Sequence, residues 1–338
     1  MLPVRHLLLA LVVLLPRTLP AQSAPIVLPL NYFGRHLYVT VTDDHFGPLT
    51  LMLDTGFQHT TLAASVANKG EVHTHFWERS LSYNGFGTGK PKRRYLTTDV
   101  SLRSGPAVLF SGSALVADLA DLNKTFGHAF DGFLGWDFFR KWCATLEYAP
   151  ARLMLRDPAQ CSAPSGAYAS LRAEWTPQGL LLPAHLTFAN GHSAAALLHL
   201  DTGSDITLLL NTRFRGPAGL DQKPSSANES HGEGVNGRYT TDLLPIAKID
   251  LDGQLQFAPG KDTMIAIARS RTFTAVHWWE GPSAVKVNRD GVLGNALLDR
   301  FRWTFDPGAK RVYAVPAGEK RAGLRAVPGD KPLPTLLR

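Results

Sequence analysis

Cysteine is nearly missing from this chain: Cys143 and Cys161 are the only two in 338 residues. Two thiols cannot complete a four-ligand metal site. No histidine cluster has the spacing to help them, and the nearest candidate, His73-Thr74-His75, lacks carboxylates or thiols in ligand register. Metal chemistry is therefore not expected. A Gly-rich phosphate loop ending in Lys-Ser/Thr is also missing, which argues against an aspartate that accepts phosphate from a nucleotide. Concentrated positive charge is scarce as well. The formal charge is +7, yet the basic residues are scattered apart from KPKRR (90–94) and EKRAGLR (319–325). A solvated loop and a tail account for both runs, so no nucleic-acid partner is expected. Beyond the first 24 residues, no apolar run is long enough for a membrane helix.

What is present points to a globular, turn-rich protein. Hydrophobic residues make up 44% and charged residues 19%, a balance that supports a packed core. The length accommodates two domains of ordinary size. Thirty Gly and 23 Pro, dispersed along the chain, predict many turns and a β-rich fold. The N-terminus reads as a signal peptide over 1–24. Arg5 and His6 precede LLLALVVLL (7–15), and small residues follow in PAQSAP (20–25). Nine apolar residues are too few to span a bilayer, although an uncleaved anchor is the competing reading. Cleavage near Ala21 to Ala24 removes Arg5 and Arg17, takes the charge from +7 to +5, and leaves an exported chain, periplasmic or secreted, with no stable membrane insertion. In that setting Cys143 and Cys161 can close one local disulfide.

The chain repeats itself. LTLMLDTGFQHTTLA (49–63) returns as ALLHLDTGSDITLLL (196–210). DGFLGWDFFRKWCATLEYAPARLML (131–155) returns as DGVLGNALLDRFRWTFDPGAKRVYAV (290–315). Asp54 lies 81 residues before Gly135, and Asp201 lies 93 before Gly294. Two motifs in the same order at similar spacing indicate a duplicated domain. The boundaries are 25–157 and 168–316, joined by a Pro/Ser/Gly-rich linker at 158–167 and followed by a basic tail at 317–338. Within each copy the pattern is mostly strand. HLYVTVTD (36–43) alternates, while LTLML and ALLHL are short apolar runs suited to buried strands. A short helical stretch, WDFFRKW or NALLDRF, follows each D-G-x-L-G, and a hairpin follows the helix. GPAGLDQKPSSANESHGEGVNG (216–237) reads as a long exposed loop.

If the copies pack as pseudo-symmetric halves with their D-T-G turns facing, Asp54 and Asp201 meet in a cleft. Two carboxylates that close cannot both ionise, so the pair holds one proton. The ionised member draws a proton from a bound water while the protonated member polarises a carbonyl. A gem-diol forms and collapses as the proton returns to the leaving amine. Gly56 and Gly203 allow a tight turn and the approach of backbone N–H groups to the carboxylates. Thr55 and Thr202 can hydrogen-bond across the twofold junction and hold the turns rigid.

These residues resemble a known family. LMLDTG and LHLDTG, each followed by a hydrophobic-hydrophobic-Gly element (Phe133-Leu134-Gly135 and Val292-Leu293-Gly294), look like the aspartic proteases. The likeness is to the retropepsin-like branch with two such domains in one exported bacterial chain, and it covers nearly all of 27–316. It implies a mainly β, bilobal fold of two retropepsin-like β-barrel domains with short helices, working as a monomer. It also implies an Asp54/Asp201 dyad, an interlocking Thr55–Thr202 pair, and an aspartic endopeptidase acting on peptide or protein substrates without a cofactor. The family's glycine-rich flap has two candidates, YNGFGTG with Tyr83, Gly85 and Gly87, and GEGVNGRY with Gly234 and Gly237. Trp278 and Trp279 could line subsites.

One position departs from the pattern. The family places Ser, Thr or Ala after the D-T-G glycine; Ser204 complies and Phe57 does not. A Ser204 hydroxyl donating to Asp201 would make Asp201 the ionised partner and Asp54 the proton carrier. The bulk of Phe57 instead motivates the alternative that the chain is a catalytically weak or inactive peptide-binding module.

Overall fold

The computed structural model describes residues 24–68, 81–83, 92–167, 169–220, 228–234, 237–258, 263–269 and 289–317, with backbone alone for 81–83 and 92–99. The signal-peptide, His73-Thr74-His75, Trp278-Trp279 and tail readings lie outside those residues, apart from positions 24 and 317. The fold is mainly β and contains two closed six-stranded barrels.

The first barrel closes in the order β2 (His36–Asp43), β3 (Gly47–Leu53), β8 (Gly132–Leu134), β4 (Thr61–Ala63), β7 (Ala107–Ala117) and β6 (Lys92–Ser104), with β6 returning to β2. The second closes in the order β13 (Gly179–Phe188), β14 (Ser193–Leu200), β20 (Gly291–Leu293), β15 (Leu208–Leu210), β19 (Met264–Ala268) and β17 (Gly237–Leu251), with β17 returning to β13. The two orders correspond strand for strand. Matching outer strands flank the two barrels, β5 (Leu81–Tyr83) on β6 and β16 (Glu229–Gly234) on β17, and the second barrel also carries β12 (Glu174–Thr176) on β13 and β18 (Leu255–Phe257) on β17.

A six-stranded sheet joins the halves. It runs β11 (Ala169–Arg172), β22 (Arg311–Pro316), β21 (Phe301–Asp306), β9 (Cys143–Tyr148), β10 (Ala151–Arg156) and β1 (Ile26–Phe33). Its centre is the β9–β21 pair, where Thr145 lies opposite Thr304 and their hydroxyls hydrogen-bond at 2.9 Å. These threonines occupy matching positions in the two copies, ten residues after Gly135 and Gly294, so the pseudo-twofold relation passes between them.

Local sequence explains most of these elements. In β2 the alternating His36–Asp43 segment has one predominantly buried face. The last three residues of β3, Leu51, Met52 and Leu53, are all buried because the strand lies between β2 and β8 inside the barrel. The helical stretches become single turns, α3 (Trp136–Phe139) and α4 (Asn295–Leu298). Both hairpins form where expected, Tyr148 pairing with Ala151 and Asp306 with Arg311. The 216–237 loop expectation needs correction, since Glu229–Gly234 is a strand. Its Gly- and His-containing sequence has weak strand propensity. Pairing with the long β17 supplies the order instead, and Asp242 ties the base of the hairpin through Arg215 and Arg269, with Glu229 also on Arg269.

Cys143 and Cys161 are bonded across an 18-residue separation. Closing a loop of that size is worth about 3 kcal/mol by loop entropy. Replacing both cysteines by serine is expected to lower the urea midpoint by that amount of free energy, measured by circular dichroism. An unchanged midpoint would show that the linker needs no staple.

Candidate active site

Asp54 directly follows β3 and Asp201 directly follows β14, so each is delivered by an apolar strand that cannot shift register without exposing its buried residues. Behind each turn lies the D-G-x-L-G element. The Leu134 carbonyl accepts from Asp54 N–H at 3.0 Å, and the Leu293 carbonyl accepts from Asp201 N–H at 2.9 Å. Parallel pairing of β3 with β8 and of β14 with β20 sets these contacts. Gly135 and Gly294 are required by close approach: a Cβ on either would fall 2.4 Å from backbone atoms of the loop after the D-T-G of its own half.

The structure brings Asp54, Thr55, Gly56, Asp201, Thr202 and Gly203 together. Thr55 N–H donates to Thr202 Oγ1 at 3.1 Å, and Thr202 N–H donates to Thr55 Oγ1 at 3.0 Å. Each hydroxyl then crosses the junction, Thr55 to the Leu200 carbonyl at 2.8 Å and Thr202 to the Leu53 carbonyl at 3.0 Å. Four buried hydrogen bonds made by these two threonines across the junction leave the turns little freedom to separate.

The glycines play a sharper role than a tight turn. Neither Gly56 nor Gly203 adopts a left-handed backbone. A Cβ on Gly56 would lie 2.3 Å from the Asp201 carboxyl carbon, and a Cβ on Gly203 would lie 2.3 Å from that of Asp54. Each glycine makes room for the opposite carboxyl group.

The two carboxyls hydrogen-bond one another and are buried, at 8% and 6% exposure. Burial raises both above the usual carboxylate range. For Asp54 the charge and hydrogen bond of Asp201 add to the rise, opposed by the Gly56 and Phe57 amides. For Asp201 burial is opposed by the Gly203 amide, which donates to Oδ1 at 2.8 Å, and by the Arg289 guanidinium. Both shifts point the same way, so the pair holds a shared proton above the usual carboxylate range. The donors to Asp201 are the Gly203 amide and Asp54 itself, and the nearby positive charge is that of Arg289.

Phe57 does not disturb its turn. Its N–H donates to the Asp54 carbonyl at 3.2 Å and its carbonyl accepts from Trp136 N–H at 2.7 Å. Ser204 makes the matching pair, to the Asp201 carbonyl at 3.4 Å and from Asn295 N–H at 2.7 Å. The Phe57 ring is buried and packs on Phe133 at 5.0 Å between centroids. Truncation to serine is expected to cost about 3 kcal/mol of stability from the lost core ring, with no loss of activity per folded molecule. A selective loss of activity at unchanged stability would mean the ring serves the site.

The flap candidates sit on the matching outer hairpins. For the first, the β5–β6 backbone pairing is described, whereas Gly85, Gly87 and the Tyr83 side chain lie outside the described residues. In the second, Gly234 pairs with Gly237, which takes a left-handed φ of 89°. This hairpin reaches the other half: Thr125, on α2 (Ala120–Phe126), donates to Glu233 at 3.4 Å. Behind its tip Tyr239 fills the space a Cβ on Gly232 would take and faces Asp205 and Asp201.

Sequence reasoning missed Asn295. It is fully buried, its Nδ2 donates to the carbonyls of Thr202 at 2.7 Å and Arg35 at 2.6 Å, and its Oδ1 accepts from Tyr148 at 2.6 Å. The matching Trp136 indole donates to the Thr176 carbonyl at 2.9 Å. Both residues begin the helical turn after the second motif and stitch the halves together behind the paired aspartates. Their place directly after D-G-x-L-G is the only signal the sequence carried.

No group of three or more metal-ligating side chains occurs among the described residues. Comparison with known families finds no matching family model, and no curated protein matches the chain in sequence.

Proposed function

We propose that the chain is an exported aspartic endopeptidase of the two-lobed, retropepsin-like kind, hydrolysing peptide bonds with a water activated by Asp54 and Asp201. The observation that carries this reading is a buried, mutually hydrogen-bonded carboxyl pair supplied by two matching turns locked through Thr55 and Thr202. Asp201 takes the proton of the attacking water, and Asp54 hydrogen-bonds the scissile carbonyl oxygen. Protonation of the leaving nitrogen then completes the cleavage and restores the shared proton. The pair titrates as a unit, so its two apparent pKa values belong to both residues. The Cys143–Cys161 bond supports an oxidising compartment. Phe57, the ground for reading the chain as inactive, keeps the backbone bonds that Ser204 makes and turns its ring to the core.

The test is incubation of the chain with a peptide pool across acid to neutral pH. New peptide termini are expected, and they should be suppressed by a peptide carrying a hydroxyethylene group at the scissile position, which mimics the gem-diol. A pool left intact at every pH would contradict the reading.

A further inference from the structure

The two halves differ in what lies beside their aspartates. Asp131 and Asp290 hold matching places: each N–H donates to the carbonyl of Thr50 or Leu197, and each Oδ2 accepts from the N–H of that same residue. Counting from these anchors, Phe130 matches Arg289 and Met52 matches His199. In the first half that pair is apolar and buried in the core. In the second it is an imidazole and a guanidinium.

This polar pair is built into its surroundings. His199 is fully buried, and its Nε2 lies 2.1 Å from where a Cβ on Gly179 would stand, so only glycine fits there. Arg289 Nη2 donates to the carbonyl of Gln178, the residue before that glycine, at 2.9 Å. The loop before β13 thus seats both side chains. The titratable groups around the pair are Asp201 and Asp54, whose charges act on Arg289; Tyr239 of β17 in turn lies near Asp201 and Asp205, and Asp205 also acts on His36 of β2. Burial, and then the charge of Arg289, keep His199 well below the usual histidine range and therefore neutral, against a weaker pull from the Thr55 carbonyl. Burial lowers Arg289 to about 10, opposed by Asp201 and Asp54, so it stays a cation at neutral pH.

We infer that Arg289 is a positioning residue: seated by the Gln178 carbonyl beside the buried His199 ring, its guanidinium supports Asp201 from within the second half and keeps the pair's single negative charge on that carboxylate. The arrangement breaks the equivalence of two otherwise matching aspartates. It thereby assigns Asp201 to the water and Asp54 to the carbonyl. The inference rests on the reading of Asp54 and Asp201 as a pair sharing one proton.

The test is a carboxyl carbon NMR titration of the full chain, alongside the pH profile of peptide cleavage. A neighbouring cation lowers a carboxyl pKa, so removing it raises that pKa. In Arg289→Met the Asp201 ionisation is expected to rise by about one pH unit or more, and the acid limb of the cleavage profile should rise with it. Arg289→Lys should restore part of the shift. A second variant, His199→Met with Arg289→Phe, installs the first half's own pair, keeps the test available if Arg289→Met fails to fold, and should bring the two ionisations closer together. A folded Arg289→Met with Asp201 unmoved would overturn the inference and leave Arg289 as a strut for the Gln178 loop. If the shift occurs in a chain that cleaves no peptide, the peptidase reading fails and the inference stands.

Discussion

Asp201→Asn is expected to lower the proposed peptide cleavage by about 10⁴-fold, and Asp54→Asn to lower it comparably. An amide in place of Asp201 cannot take the proton of the water. An amide in place of Asp54 leaves no proton to pass on through the pair. Because the carboxyls act as one unit, the double variant should be little worse than either single change. Folding provides the control. Both carboxyls have folded-state pKa values raised first of all by burial. The unfolded chain ionises at lower pH than the folded one. Stability contributed by the protonated form is therefore present below the ordinary carboxylate pKa and is lost as pH rises toward the raised values. Either Asn variant removes part of this loss, so at neutral pH its unfolding midpoint should equal or exceed that of the parent. Inactivity with a lowered midpoint would point to damaged structure; inactivity with an equal or higher midpoint isolates the chemistry.

The largest effect away from the carboxyls is expected at Asn295. Asn295→Leu keeps the volume but removes the hydrogen-bond donor to the carbonyls of Thr202 and Arg35 and the acceptor of the Tyr148 hydroxyl bond. Buried polar groups left without partners cost about 1–3 kcal/mol each, so a loss of about 3 kcal/mol or more is expected. Activity should fall too, by about 100-fold, because the Thr202 carbonyl belongs to the turn that aims Asp201 and small misplacements are costly. Urea unfolding and kcat/KM measured on the same preparations check both. A variant that loses stability but retains kcat/KM when fully folded would show that Asn295 stitches the halves without steering the turn.

The duplication was legible because it is local: each D-T-G and D-G-x-L-G is a contiguous string between apolar runs, and each fixes one strand and one turn. The threonine exchange follows from the same strings, since a twofold relation forces equal residues at the junction to meet. What escaped reading depends on distant residues. Arg289 and His199 are separated by 90 positions, and nothing local shows that a loop at 178–179 seats them together. His199 sits between two leucines in an alternating strand, where its polarity looks incidental. Glu229–Gly234 is a strand because β17 pairs with it, and its composition suggested a loop. For Gly56 and Gly203 the residue type and the approach of their amides to the carboxylates were read correctly. The further reason, room for the opposite carboxyl, is visible only once both halves are in place. Phe57 looked disruptive because a family habit concerns the side chain, whereas the turn uses that residue's backbone.

The most direct test of the central claim is peptide cleavage in ¹⁸O-enriched water, read by mass spectrometry for the parent chain and for Asp54→Asn and Asp201→Asn separately. A water activated by the shared pair predicts one labelled oxygen at each newly formed C-terminus with the parent, and loss of those termini with either variant. Cleavage that persists undiminished in either Asn variant would contradict it.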